Sequence, residues 1–217
     1  SATEEYLLEK FVSGELYSHS AFLKNKRAIK NFFVKEDSTV NSFVVDTSRV
    51  IFSPPPEMQR QIINAVEKLA RYLRLKDGLI HSQFIWDGCN IYLIDRNRRI
   101  AGDLYSQLIE LSTGHPYVEN YVRPFLDMPY KNIEDSDTRI PIMRHTVSVS
   151  KEQNFKHISF KESLFLESWV ALSSAGDRIK ASPDGSVGIL FARAKSQAEL
   201  LTLYEATIRR QLYEVVD

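Results

Sequence analysis

The chain has 217 residues, and its 28 Lys and Arg are matched by 28 Asp and Glu, so its formal charge at pH 7 is zero. Hydrophobic residues make up 43% and charged residues 26%, which excludes a disordered polar chain. The even balance argues against nucleic acid or an anionic membrane as partner, and no uncharged apolar run approaches the roughly 18–20 residues of a membrane span.

The chain opens Ser1-Ala2-Thr3, without Met or a signal-peptide pattern, and enters Tyr6-Leu7-Leu8 at once, which reads as a cut end. Leu16 to Leu23, Ile29 to Val34 and Ser42 to Phe52 are rich in Phe, Val, Ile and Thr and read as strands. Polar turns at Lys24-Asn25-Lys26 and Lys35-Glu36-Asp37-Ser38 separate them. Ser53-Pro54-Pro55-Pro56 stops the sheet and pre-sets a helix start. From Glu57 to Leu75 the spacing of Met58, Ile62, Val66, Leu69 and Leu73 predicts a helix with those residues inward, ended by Asp77-Gly78.

A hairpin signal follows: Leu79 to Trp86 and Ile91 to Ile94 are apolar strands joined by Asp87-Gly88-Cys89-Asn90. Asp95 to Asp103 reads as a polar loop, and Leu104 to Ser112 and Val118 to Leu126 as helices, the second interrupted by Pro124. Residues 129–140 form a Pro-, Asp- and Asn-rich loop. Strand-like runs lie at 142–149, 156–160, 164–172 and 187–192. Ser196-Gln-Ala-Glu199 is a capping box opening a last helix with Leu200, Leu203, Ile208 and Leu212 inward. The expected class is α+β, mainly antiparallel, without regular βαβ alternation.

The chemistry-bearing residues are sparse. His19, His81, His115, His145 and His157 show no zinc spacing, and each reads as surface or satisfied polar. The single cysteine, Cys89, excludes an internal disulfide framework and fits a reducing, cytoplasmic compartment. It has no activating neighbour in sequence. Glu134-Asp135-Asp137 reads as a solvated loop. No nucleophile elbow or Walker-type loop is present, and 8 glycines leave little material for a phosphate nest.

One region stands out. On the predicted hairpin Gln83 lies amid apolar neighbours, Asp95 ends the partner strand, and Asn97 shares its parity. Three oxygen donors on one face suit a hard cation such as Mg²⁺, which also takes phosphate oxygens. Arg99 has the same parity and could neutralise phosphate charge. The competing reading is a strand end giving way to a polar loop.

This pattern resembles the ATP-grasp superfamily, whose metal signature runs acid-or-Gln-x-Phe, a hairpin, then acid-x-Asn-x-Arg and a glycine. Gln83-Phe84-Ile85, Asp95-Arg96-Asn97-Arg98-Arg99 and Gly102 match it in turn. Leu7-Leu8-Glu9-Lys10-Phe11-Val12-Ser13-Gly14-Glu15 resembles the family's hinge. The terminal segment from Ser186 resembles the small last domain of the carbamoyl-phosphate synthetase, biotin carboxylase and purine-pathway ligase branch.

The resemblance implies that Gln83, Asp95 and Asn97 hold Mg²⁺ (or Mn²⁺) bridging the ATP phosphates, with Arg99 as the catalytic cation. It places Glu9, Lys10 and Val12 at adenine, Glu15 at the ribose and Ile85 under the ring. Asp95 stands where Glu is commoner, and Gln83 removes a negative charge. The implied fold is the C-terminal half of an ATP-grasp unit over residues 1–128 and a small α+β domain over 129–217. The implied activity is an ATP-dependent carboxylate–amine (or carboxylate–thiol) ligase working through an acyl phosphate, and this portion alone is expected to be inactive. A nucleotide-binding module without turnover and an interaction domain that keeps the fold are the alternatives. Expected partners are a small carboxylate, its nucleophile and the N-terminal half that carries the glycine-rich flap, with a homodimer as a further option.

Overall fold

The computed structural model describes residues 6, 8–134, 138–161 and 163–217. Leu7 of the hinge-like segment and Asp135 and Asp137 of the acidic loop lie outside these residues.

Three strands open the chain: β1 (Glu15–Lys24), β2 (Arg27–Asp37) and β3 (Thr47–Val50). Helix α1 (Pro56–Tyr72) follows, then the hairpin β4 (Gly78–Trp86) and β5 (Ile91–Asn97). Helices α2 (Tyr105–Thr113) and α3 (Tyr117–Val122) come next, and a 3-10 turn, Arg123–Leu126, takes over where Pro124 ends α-helical bonding. The remainder is β6 (Ile142–Val147), β7 (Gln153–Asn154), β8 (His157–Phe160), β9 (Phe165–Ala171), β10 (Arg178–Ile179), β11 (Gly188–Arg193), α4 (Gln197–Ile208) and β12 (Tyr213–Val216). Eight strands form one sheet in the order β5-β4-β1-β2-β3-β6-β11-β9, and the pairs β7–β10 and β8–β12 form two small ribbons. The pairing is antiparallel throughout the large sheet. The β3–β6 pair carries that sheet across residue 128, from the first expected unit into the second.

Strand alternation sorts the core into two faces. On one, Met58, Ile62, Val66 and Ala70 of α1 pack on Tyr17, Ala21, Leu23, Phe33 and Phe84, and farther along the same face α4 places Leu200, Leu203 and Tyr204 on Met143, Leu190 and Ala192. On the other, Tyr105, Leu108, Ile109 and Tyr117 of α2 and α3 cover Phe22, Phe32, Val34, Val50 and Phe191.

Several local expectations are corrected. Leu73 is 54% exposed because α1 stops at Tyr72, and Ala70 takes the inward place; Leu69 is only partly buried. The strand expected over 42–52 spans Thr47–Val50 alone, since Asp46 instead caps the preceding loop, accepting from the Thr39 and Val40 amides. Lys35-Glu36-Asp37 is strand, not turn, and Asp95 to Asn97 extends β5 rather than opening a loop. Leu212 is buried as expected but lies beyond the end of α4. The capping box forms as expected: Ser196 Oγ accepts from the Glu199 amide at 3.2 Å, while the Glu199 carboxylate accepts from the Lys195 amide at 2.7 Å. No described helix is long and apolar enough to cross a membrane.

Candidate functional site

The β4–β5 hairpin is built by its turn. Asp87 Oδ1 accepts from the Cys89 and Asn90 amides at 2.8 and 2.6 Å, and Gly88 takes a φ of 99° that side chains avoid. Gln61 of α1 latches the turn, donating to the Cys89 carbonyl at 2.7 Å and accepting from the Ile91 amide at 3.0 Å. Cys89 itself is exposed there.

Register then brings the oxygen donors together. Gln83 lies directly opposite Asp95, and His81 opposite Asn97, with an irregularity between Gln83 and Phe84. Cross-strand partners point to the same face, so all four side chains share the face that α2 and α3 cover. Asn97 Nδ2 donates to Asp95 Oδ2 at 3.2 Å, which leaves the other Asp95 oxygen available, while Asn97 Oδ1 accepts a long bond from the Arg99 amide at 3.4 Å and keeps one lone pair. Gln83 Nε2 donates to Glu36 Oε2 at 2.8 Å, which leaves Gln83 Oε1 available. Arg99 is exposed beside them and donates to the Ile100 carbonyl at 3.0 Å.

Behind these donors lies a buried polar layer that sequence reading missed. Glu36 is 3% exposed; burial raises its pKa, and hydrogen bonds from Ser18 and Gln83 and the charge of Arg144 partly oppose that shift. Arg144 of β6 is buried on the same face, donating to the Asp103 carbonyl and pairing with the Asp103 carboxylate at 3.3 Å. His81 is buried with its pKa lowered to about 4, chiefly by desolvation, with Asp95 opposing and Arg99 reinforcing the shift. Tyr117 donates to Ser20 Oγ at 3.0 Å, and Ser20 Oγ is hydrogen-bonded in turn to His81 Nδ1 at 2.9 Å. The signal for Glu36 was alternation: it stands two residues past Val34, on the same face.

The hinge-like residues are placed differently from one another. Gly14 crosses the end of β4 so closely that a Cβ there would lie 2.5 Å from Ile85 Cγ2 and 2.5 Å from the Trp86 carbonyl oxygen. The segment after Val12 therefore reaches Ile85. Glu9 and Lys10 are exposed and Val12 is half-buried. Glu15 shares the parity of Tyr17, whose hydroxyl donates to it at 2.7 Å, and pairs with Lys35 at 3.7 Å; that is the α1 face, away from Gln83.

Among the described residues no three His, Cys, Asp or Glu side chains converge as a ready metal cluster. What converges is one carboxylate and two amide oxygens, with the Glu36 carboxylate held behind Gln83. An all-oxygen set with few charges fits Mg²⁺, which keeps waters and shares phosphate oxygens rather than filling a protein cage.

Neither known family models nor curated proteins match this sequence. Solved structures do match the fold. Phosphoribosylglycinamide synthetase from Anaerococcus prevotii superposes with a TM-score of 0.73 at 14% identity, over 95% of this chain and 54% of that one. L-amino acid ligase from Bacillus licheniformis gives 0.73 at 15%, over 95% and 52%. Biotin carboxylase from Campylobacter jejuni gives 0.62 at 11%, over 96% and 48%. The chain spans about half the length of these structures, and its fold is of the ATP-grasp type that the hairpin signature resembles.

Proposed function

We propose that the chain is the C-terminal part of an ATP-dependent ligase that joins a carboxylate to an amine or thiol through an acyl phosphate. The observation that carries this reading is the cross-strand pair Gln83–Asp95, with Asn97 beside it on one face of an ATP-grasp-type sheet. Gln83 Oε1, an Asp95 oxygen and Asn97 Oδ1 would hold Mg²⁺. When bound, the ion supplies positive charge between the β- and γ-phosphates. Arg99 would neutralise charge on the transferring phosphoryl group, and the buried Arg144, held by Asp103, would add positive potential on the same face. Ile85, which Gly14 approaches closely, would offer an apolar surface to an adenine ring, and Glu9, Lys10 and Val12 would lie at the ring's edge. The N-terminal half of the enzyme would supply the phosphate flap, so this portion alone should bind Mg²⁺-ATP weakly and not turn it over.

A second reading, a nucleotide-binding module without turnover, is favoured by one observation: Gln83 is neutral and already bonded to Glu36. One experiment separates the two. In the full-length protein, Asp95→Ala and Asn97→Ala should each abolish ADP release in a coupled ligation assay while the thermal melt stays unchanged. Full ADP release by both variants overturns the metal assignment. An enzyme whose wild type binds Mg²⁺-ATP but never releases ADP with any carboxylate and amine supports the module.

A further inference from the structure

A cavity of about 540 Å³ opens beside the end of α4, on the α1 and α4 face and therefore on the opposite side of the sheet from Gln83 and Arg144. Its volume lies within the range of small-molecule pockets. The walls come from separate elements: Thr39 and Val40 after β2, Ser148 to Ser150 after β6, Lys161 after β8, Thr207 and Arg210 at the end of α4, and Tyr213 on β12.

Most polar groups in these walls are already spent. Thr39 Oγ1 donates to Asp46 Oδ2 at 2.7 Å, and Thr207 Oγ1 donates to the Leu203 carbonyl at 2.8 Å. The Tyr213 hydroxyl is committed too. Thr47 Oγ1 donates to Asp46 Oδ1 at 2.8 Å, so it accepts from His145 Nδ1 at 2.7 Å; His145 Nε2 then accepts from Tyr213 at 2.5 Å. This directed chain, Tyr213 to His145 to Thr47 to Asp46, ends on a carboxylate that is 4% exposed and shielded by the Thr39 and Val40 amides. The chain spends the Tyr213 hydroxyl proton inside the protein, although the Asp46 charge still acts at that hydroxyl, opposed by Arg210.

Three further donors in these walls bear on a ligand. Ser148 Oγ is buried, in a residue 7% exposed, with no hydrogen-bond partner among the described residues. A buried hydroxyl without a partner is costly and marks a place where a ligand or water belongs. Arg210 makes only one long contact, to Ser150 Oγ at 3.4 Å, and its charge is felt at the Tyr213 hydroxyl. Lys161 uses its backbone amide on the Leu212 carbonyl, and its ammonium has no ion pair among the described residues. Glu214, exposed on β12, also lines the cavity and is its one acidic wall residue among the described residues.

Ser148, Arg210 and Lys161 line three different walls of the cavity, a set of donors that suits an oxyanion, and the volume leaves room for an organic body. We propose that this cavity binds a small phosphorylated metabolite, its phosphate held by Ser148, Arg210 and Lys161, independently of the nucleotide site.

The test is an amide chemical-shift titration of the ¹⁵N-labelled chain with inorganic phosphate, and separately with malonate, at constant ionic strength. Phosphate should give saturable shifts at Ser148, Ser150, Arg210 and Tyr213. Loss of one charged hydrogen bond should weaken phosphate by roughly tenfold or more in Arg210→Gln. Lys161→Gln, an exposed change that cannot disturb the core, should weaken it as well, whereas Arg99→Gln on the other face should leave these shifts intact. Shifts that grow linearly as they do with chloride overturn the proposal. So do shifts unaltered by both Arg210→Gln and Lys161→Gln. Malonate binding more tightly than phosphate at the same residues overturns the assignment to a phosphate.

Discussion

Gln83 Nε2 donates to Glu36 Oε2 at 2.8 Å across β1, tying the candidate metal hairpin to a buried carboxylate 47 residues away in sequence. The bond fixes the amide and leaves its oxygen unspent on the face that Asp95 shares. It also supplies one of the few groups that stabilise a carboxylate held out of water. Removing the amide while keeping its shape should therefore harm both roles. Gln83→Leu is expected to cost about 1–3 kcal/mol of stability, read as a shifted midpoint in urea unfolding at pH 7. Because an unassisted Glu36 would protonate more readily, the deficit should shrink at pH 5; an equal deficit at both pH values would deny that Glu36 is the cause.

The buried histidines make the fold acid-sensitive. His19, His81, His115 and His145 each have a pKa lowered to about 4, with burial the leading cause, against 6.5 in an unfolded chain. The unfolded state therefore binds more protons between those values, so stability rises with pH across that window and is complete above 6.5. Each site contributes at most on the order of 3 kcal/mol. Glu36 acts in the opposite sense, since its raised pKa lets the folded state bind the extra proton as pH falls, but it is one group against four. Thermal melts from pH 7 to 4.5 should show a steadily falling midpoint. A flat profile would contradict the neutral, buried state of these rings.

Helix α1 gives a paired test of packing. Ile62 is fully buried against the sheet, whereas Leu73 is largely exposed past the helix end. Ile62→Ala should cost about 2–5 kcal/mol, or a fall of roughly 4–20 °C in melting temperature at about 2–4 °C per kcal/mol. Leu73→Ala should leave the melt within about 0.5 kcal/mol of the parent. Comparable losses from the two would mean that the inward face has been misassigned.

Gly14 is where the hinge-like segment meets the hairpin. The atoms a methyl group would strike include the Trp86 carbonyl oxygen, which cannot swing aside as a side-chain tip can. Gly14→Ala should push the two segments apart and cost about 1–3 kcal/mol. Calorimetry of the full-length protein should also show weakened Mg²⁺-ATP binding, because Ile85 and the Val12 backbone would no longer sit together. Unaltered stability and binding would show that the close approach is not maintained in solution.

Sequence alone determined the elements whose signals are local. Proline at the start of α1, the Asp-Gly turn between β4 and β5, the Ser196–Glu199 capping box and the parity shared by Asp95 and Asn97 each depend on residues within one turn or one strand. Those signals were enough to place three metal-type donors on one hairpin. The tertiary structure decided what lies behind them. Glu36 and Arg144 sit in segments that read as a polar turn and an ordinary strand, and they become partners of the site only because β2 and β6 are brought to the same face by long-range pairing. It also decided that Glu15 points to the α1 face and that Tyr213, at the far end of the chain, donates to His145. Side-chain alternation along a strand can be read in a sequence, but which strands become neighbours depends on loop closure and burial summed over the whole chain.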